Sequence, residues 1–287
     1  MKRFLTTLAA GAAAAAAVVV GTTTGAAAQH PGPNGPIASI SDGTDFRAPC
    51  LNGYPYDHDD DWTPFDQMPE GGGAFSASGR YYAFSGWNPE MGTNLYVVDT
   101  VNCYPPRAIG AAAGDLAWSP DGKQLAISRG GDVYVVSPQT GATIRRLTNT
   151  PSTLESGLSW HPGGGRIAYG VVEDGWSVVR TVAPTGGSSK VLVRDATDPD
   201  YHPGGKRIAY VRTADSRIAT ADAVTGGGVS ITPITAGGNM TYSPDGTRFA
   251  FRSAVTGDDC VVVTTSGRVV ERYGYSGCWT FAWGRKP

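Results

Sequence analysis

One turn motif recurs through this chain at a nearly constant interval, and that interval restricts the fold more than any other feature. Trp118-Ser119-Pro120-Asp121-Gly122 returns as Trp160-His161-Pro162-Gly163-Gly164, Tyr201-His202-Pro203-Gly204-Gly205 and Tyr242-Ser243-Pro244-Asp245-Gly246. A worn copy, Phe75-Ser76-Ala77-Ser78-Gly79, precedes these, and Trp283-Gly284 carries only the first half. Successive motif aromatics are 43, 42, 41, 41 and 41 residues apart. A fixed period of this size is the signature of stacked repeats, each a small unit that buries its faces against its neighbours.

Each repeat spells four short strands. In the clearest copy, Leu116-Ala117-Trp118 runs into the turn, where proline presets φ and glycine accepts the left-handed conformation that follows. Gln124 to Ser128 makes the return strand, Val133 to Val136 a third and Ala142 to Leu147 a fourth, with Gln139-Thr140-Gly141 turning the last pair. Thr185-Gly186, Thr225-Gly226 and Ser266-Gly267 repeat that second turn. A small Ala or Ser (Ala117, Ser159, Ala282) stands beside the motif aromatic, suited to close sheet packing. No stretch after the first residues sustains a 3.6-residue apolar period, so helices are not expected. Four-stranded antiparallel units in series predict an all-β propeller.

These units resemble the WD40-like (PD40) repeats of the TolB family of β-propellers, whose signature is aromatic-Ser-Pro-Asp-Gly-x-x-Ile-Ala-Phe. The resemblance covers roughly residue 72 to the C-terminus, and two copies depart from it with His for Ser and Gly for Asp. It implies the propeller fold but no single activity, because such blades occur in scaffolds, in lyases and in the gating domains of peptidases.

Counting motif starts predicts six blades. Five full units begin near Phe75, Trp118, Trp160, Tyr201 and Tyr242, and the sixth start at Trp283 leaves room for one strand before Pro287. A ring left open exposes edge strands. The missing strands are therefore expected from residues 37–66, closing the last blade by mixing N- and C-terminal strands. The domain is read as residues 37–287, behind a mobile Pro- and Gly-rich leader at 29–36 and a signal peptide at 1–28.

The signal peptide reading rests on Lys2-Arg3, an apolar Ala-rich run to Gly21, and Ala26-Ala27-Ala28 before Gln29. It predicts a secreted, extracellular or periplasmic protein with no membrane span after cleavage. Removal of residues 1–28 takes two of the 23 basic residues and none of the 25 acids, leaving a formal charge of −4. That balance excludes a basic footprint for nucleic acid or for an anionic membrane. Four cysteines, an even number, favour two disulfides in an exported chain. Three pairings are open, and their places in the repeats favour Cys50–Cys103 and Cys260–Cys278.

Propeller ligands usually meet the face where the links between blades join the links between second and third strands. Three residues before each motif aromatic lie Gly72, Asp115, Gly157, Asp198, Asn239 and Thr280, which should ring the channel mouth. Asp115, Asp198 and Asn239, with Asp200 nearby, are oxygen ligands suited to a hard cation such as Ca²⁺, or turn caps that face water. Asp57-His58-Asp59-Asp60-Asp61 invites the same metal reading through Asp57, Asp59 and Asp61, yet lacks the calcium-loop pattern and reads equally as a solvated acidic edge. The links also carry Trp87, Glu173, Trp176 and Tyr275, whose rings suit a sugar or a protein anchor, or pack between blades. His161 and His202 replace the turn serine and are expected to be structural.

No G-x-S-x-G elbow is present, and carboxylate pairs such as Glu173-Asp174 are adjacent and point apart. Catalysis is therefore not expected, and no resident cofactor is implied beyond a Ca²⁺ ion. The expected function is a monomeric, non-catalytic binding or scaffold module for a protein, peptide or cell-wall glycan. The competing reading is a metal-assisted polysaccharide lyase or glycoside hydrolase built at the channel mouth.

Overall fold

The computed structural model describes residues 34–40, 69–88, 92–102, 104, 106–150, 153–255, 259–273 and 280–285. All its regular structure there is β. After β1 (Asn34–Ile40) come five four-stranded antiparallel blades. Blade one is β2 (Pro69–Phe75), β3 (Tyr81–Asn88), β4 (Gly92–Asp99) and β5 (Arg107–Ala111). Blade two is β6 (Leu116–Trp118), β7 (Leu125–Arg129), β8 (Asp132–Val136) and β9 (Thr143–Arg146). Blade three is β10 (Ser156–Trp160), β11 (Ile167–Glu173), β12 (Trp176–Val182) and β13 (Lys190–Arg194). Blade four is β14 (Ala196–Tyr201), β15 (Arg207–Arg212), β16 (Arg217–Asp222) and β17 (Ser230–Thr235). Blade five is β18 (Thr241–Tyr242), β19 (Arg248–Arg252), β20 (Cys260–Thr264) and β21 (Val269–Tyr273), followed by β22 (Thr280–Arg285).

The expectation of six four-stranded blades is overturned: the described residues form five. The N- and C-terminal strands do pair, β1 with β22 in antiparallel register from Ile40 against Thr280 to Asn34 against Arg285, but as a two-stranded sheet. The physical reason is that closure needs only one inner strand with the right packing groups. Ala282 of β22 joins the buried cluster of blade one, with Tyr82, Phe84, Tyr96 and Val98. Trp283 packs on the cluster of blade five, with Ala250, Cys260 and Val262. Counting motif starts treats each start as a complete blade, and this one does its work as a single strand beside β2 and β18. β1 begins at Asn34, within the segment read as a leader.

Between blades the core is a series of sheet-on-sheet layers. One buried cluster joins blade one to two through Leu95, Ile109, Trp118 and Leu125. Others join two to three, three to four, and four to five. Burying an aliphatic or aromatic side chain stabilises by roughly 1.5–3 kcal/mol, so these layers hold the ring together. The Thr-Gly turns fit this packing sterically. A Cβ on Gly141 (φ 69°) would lie 1.5 Å from the Ile109 carbonyl oxygen of the preceding blade, and one on Gly226 (φ 71°) 2.1 Å from that of Leu192. Only glycine allows the third-to-fourth-strand turn to lie on its neighbour this closely.

The motif turn is stabilised by its own side chains. The Ser119 hydroxyl donates to Asp121 Oδ1 at 2.6 Å and accepts the Gln124 N–H at 2.9 Å, while the Lys123 N–H donates to Asp121 at 3.0 Å. Ser243 and Asp245 repeat the arrangement. Where histidine replaces serine, the imidazole fills the cap: Nδ1 of His161 and of His202 accepts the N–H of Gly163 and Gly204, each at 2.9 Å.

Candidate functional site

The innermost strands β2, β10 and β14 each pair with the next strand across a local break in register, and these breaks shape the mouth of the channel. The pairing slips between Pro69 and Gly73, Ser156 and Ser159, and Thr197 and Asp200. A bulge of this kind re-aims a backbone at the rim of a closed β structure. At the mouth, Gly157, Asp198 and Asn239 all take left-handed φ angles of 62°, 49° and 54°. Glycine, aspartate and asparagine are the residues that tolerate this conformation.

Five of the six positions expected at the mouth, Gly72, Asp115, Gly157, Asp198 and Asn239, line one cavity of about 230 Å³ that runs along the axis. The Thr280 side chain lies outside the described residues. The channel continues past the motif aromatics to Pro162, Pro203, Pro244 and Arg285 at the far end. Each mouth carboxylate spends an oxygen on the next blade. Gly157 N–H donates to Asp115 Oδ2 at 2.9 Å, and Asn239 N–H donates to Asp198 Oδ1 at 3.1 Å. A Cβ on Gly157 would come within 3.2 Å of the Asp198 Cα, so glycine allows these two acidic blades to approach. Burial raises the pKa of Asp115; the Gly157 N–H opposes that rise and the nearby Asp198 charge adds to it.

Asp200 sits one layer deeper, at the position beside the motif aromatic. The equivalent residues are Ala74, Ala117, Ser159, Thr241 and Ala282, so Asp200 is the only acid there. It bridges three blades: the Ser159 hydroxyl donates to Oδ1 at 2.8 Å, and the Tyr242 N–H donates to Oδ2 at 2.7 Å, with the Thr241 hydroxyl at 3.3 Å. Ser159 in turn accepts the Tyr201 N–H at 3.0 Å. Burial dominates and pushes the pKa of Asp200 up to about 6, against the pull of these donors toward the charged form. One side of the channel is therefore polar at this depth, and the side made by Ala74, Ala117 and Ala282 is apolar.

The remaining sequence candidates are dispersed. Glu173 ends β11 and is held by Arg180, Nε to Oε1 at 2.5 Å and Nη2 to Oε2 at 3.2 Å. Trp176 begins β12 and is 64% exposed. Trp87 pairs with Thr93 through the backbone, and its side chain lies outside the described residues, as do Tyr275, Asp57, Asp59 and Asp61. Cys50, Cys103 and Cys278 lie outside them too, so the expected pairings do as well; Cys260, buried in β20, is not a free thiol. Among the described residues no three His, Cys, Asp or Glu side chains gather as a metal site, and no helix is long and apolar enough to cross a membrane. His161 and His202 are tied into turns on the opposite face. Their rings meet Tyr201 and Tyr242 edge-on at 4.9 and 5.1 Å, and His161 Nε2 reaches the Gly205 carbonyl at 2.9 Å.

The sequence reading missed a buried polar group under the link from blade two to three. Asp132 and Glu155 are 3% and 4% exposed. Arg146 pairs with Asp132. The Thr150 N–H donates to Asp132 Oδ1 at 2.8 Å, and the Thr150 hydroxyl donates to Glu155 Oε1 at 2.8 Å. The Thr148 hydroxyl also bonds Glu155. Burial raises the pKa of Glu155 despite these two donors. Nothing local distinguishes these residues from ordinary link polar groups; only the meeting of two blades buries them.

Comparison with solved structures places the chain among β-propellers. It superposes on TolB from Acinetobacter baumannii with TM-score 0.59 and 22% identity, covering 75% of this chain and 57% of that one. A TolB protein described as putative, from Agrobacterium tumefaciens, gives 0.61 and 18%, covering 76% and 90%. An oligogalacturonate lyase in complex with manganese gives 0.53 and 11%, covering 85% and 75%. The chain thus spans little more than half the length of the Acinetobacter protein. No family model matches the sequence, and no curated protein sequence is similar to it.

Proposed function

We propose that this chain is an exported TolB-like propeller that acts as a non-catalytic binding module, with a protein or peptide partner on the channel-mouth face. The observation that carries this reading is the apolar dress of the links on that face. Leu154 and Val255 are 80% and 85% exposed, and Val172 and Trp176 more than half. Exposed apolar side chains brought together in one patch mark a docking surface. Val172 and Trp176 at the β11–β12 turn, with Leu154 in the neighbouring link, support one here, while Val101, Tyr104, Val224 and Val229 are exposed in turns of the opposite face. The TolB-like fold and the signal-like N-terminus support a periplasmic or extracellular setting. A cell-wall glycan is the other partner class the sequence admits.

The mouth itself argues for structure over catalysis. Asp115 and Asp198 each fasten a neighbouring blade, and Asp200 bridges Ser159 and Tyr242. The lyase among the structural neighbours holds manganese, but its 11% identity carries the fold alone.

The test is capture from the envelope of the producing cell by the purified protein, with Trp176→Ala and Leu154→Ser as controls. A specific partner retained by the wild type and lost with both variants supports the reading. Turnover of a polysaccharide or peptide, abolished by Asp198→Asn, would sink it. Elemental analysis and added Ca²⁺ supply a second check: the melting temperature is expected to move by less than about 1 °C. A rise of several degrees that disappears in Asp115→Asn would assign a cation to the mouth, by the mass-action rule that a ligand of the folded state stabilises it.

A further inference from the structure

A second cavity, of about 350 Å³, lies between blades two and three, away from the axis. Its wall on blade three is one face of β11 and β12. Tyr169 and Glu173 alternate along β11, and Arg180 and Trp176 along β12, with Glu173 directly opposite Trp176. Residues paired across strands share a face, so Trp176 stands at the open end of the same surface. The hairpin holds the ring in place: Asp174 and Gly175 have φ angles of 49° and 82°, the two-residue turn with both central residues left-handed. The opposite wall is made by Asn149, Thr150 and Glu155, between β9 and β10.

We infer that this cleft is a binding site for a neutral saccharide. Sugars offer vicinal hydroxyls that both donate and accept, and a C–H face that stacks on an aromatic ring. The cleft supplies matching groups. Arg180 and Glu173 form a planar fork, and Arg180 Nη1 also holds the Ser189 hydroxyl oxygen at 2.9 Å, with the Tyr169 hydroxyl bonded to the same Ser189 side chain. Asn149 Oδ1 accepts from Arg146 at 2.6 Å, so its amide hydrogens point away from that bond. Glu155 and Glu173 add acceptors. Trp176, 64% exposed at the rim, supplies the stacking face.

The charge selects among sugars. Two carboxylates and one guanidinium line the cavity, and Asp132 lies behind Glu155, balanced by Arg146. An acidic sugar would meet a net negative wall, so a neutral chain is favoured over a uronide.

This inference goes beyond the mouth-face reading; Trp176 is common to both, so Asn149→Ala tests the cleft alone and Leu154→Ser the docking surface alone. Isothermal titration of the purified protein would use cellohexaose, the hexamer of N-acetylglucosamine, and an oligogalacturonide. Saturable binding of at least one neutral hexamer is expected, at least tenfold tighter than the oligogalacturonide. Trp176→Ala and Asn149→Ala should each weaken it at least tenfold with an unchanged melting temperature. Absence of binding by both neutral hexamers, preference for the oligogalacturonide, or binding unmoved by both substitutions overturns the assignment.

Discussion

The Ser159 hydroxyl donates a 2.8 Å hydrogen bond to the carboxylate of Asp200 across the junction of blades three and four. From its other oxygen the same carboxylate holds the Tyr242 N–H of blade five. A single side chain thus links three blades at a position where the others carry Ala, Ser or Thr.

Because the pKa of Asp200 is raised from 3.8 to about 6 in the fold, its ionised form is disfavoured there relative to the unfolded chain. Its stabilising contribution is complete below pH 4 and falls as pH rises through about 6. Two units correspond to about 3 kcal/mol. Asp200→Asn should remove this slope: urea unfolding of the variant, compared with the wild type between pH 4 and pH 7, is expected to shift the difference by about that amount in the variant's favour. Equal slopes would mean the carboxylate is not buried as described.

His202 titrates in the opposite sense. Burial lowers its pKa, against a hydrogen bond to Gly246. The neutral imidazole therefore stabilises the fold above about pH 6.5, and the contribution is lost as pH falls. His202→Ala removes the cap on Gly204 and the edge-on contact with Tyr242. Hydrogen bonds contribute about 1 kcal/mol each and an aromatic pair about the same, so the loss at pH 8 should be about 2–3 kcal/mol and smaller at pH 5. A loss that grows on acidification would contradict the neutral assignment.

Gly141 and Gly122 separate crowding from backbone strain. Both have φ 69°, but a Cβ on Gly122 meets nothing within 4 Å, while one on Gly141 runs into the Ile109 carbonyl. Gly122→Ala should cost only the left-handed penalty, about 1–2 kcal/mol. Gly141→Ala should cost at least about 2 kcal/mol more, read as the gap between the two denaturation midpoints. Similar costs would show that the turn can lift off blade one.

The disulfide expectation is open to direct chemistry. Peptide mapping without reduction should recover Cys50–Cys103 and Cys260–Cys278. Reduction of both should lower stability by about 2–4 kcal/mol per bridge. Any crossed pairing would refute the assignment.

What the sequence determined by itself is local and repetitive. Period, turn chemistry and strand alternation depend on residues within a few positions of one another, so the four-stranded unit, its turns and the channel-mouth positions Asp115, Asp198 and Asn239 could be read directly. Asp200 was legible only as an oxygen ligand near Asp198; its place as the one acid beside a motif aromatic, bridging three blades, came from the structure. The tertiary structure decided whatever depends on residues from different blades. Closure fell to a two-stranded sheet because Ala282 and Trp283 each complete a neighbour's cluster, and no count of motif starts registers packing. Glu155, Thr150 and Arg180 become one surface only when blade two lies against blade three. Trp176 gains its place beside them because a two-residue turn sets it opposite Glu173. Burial and the pKa shifts it causes arise from the same meeting of distant segments.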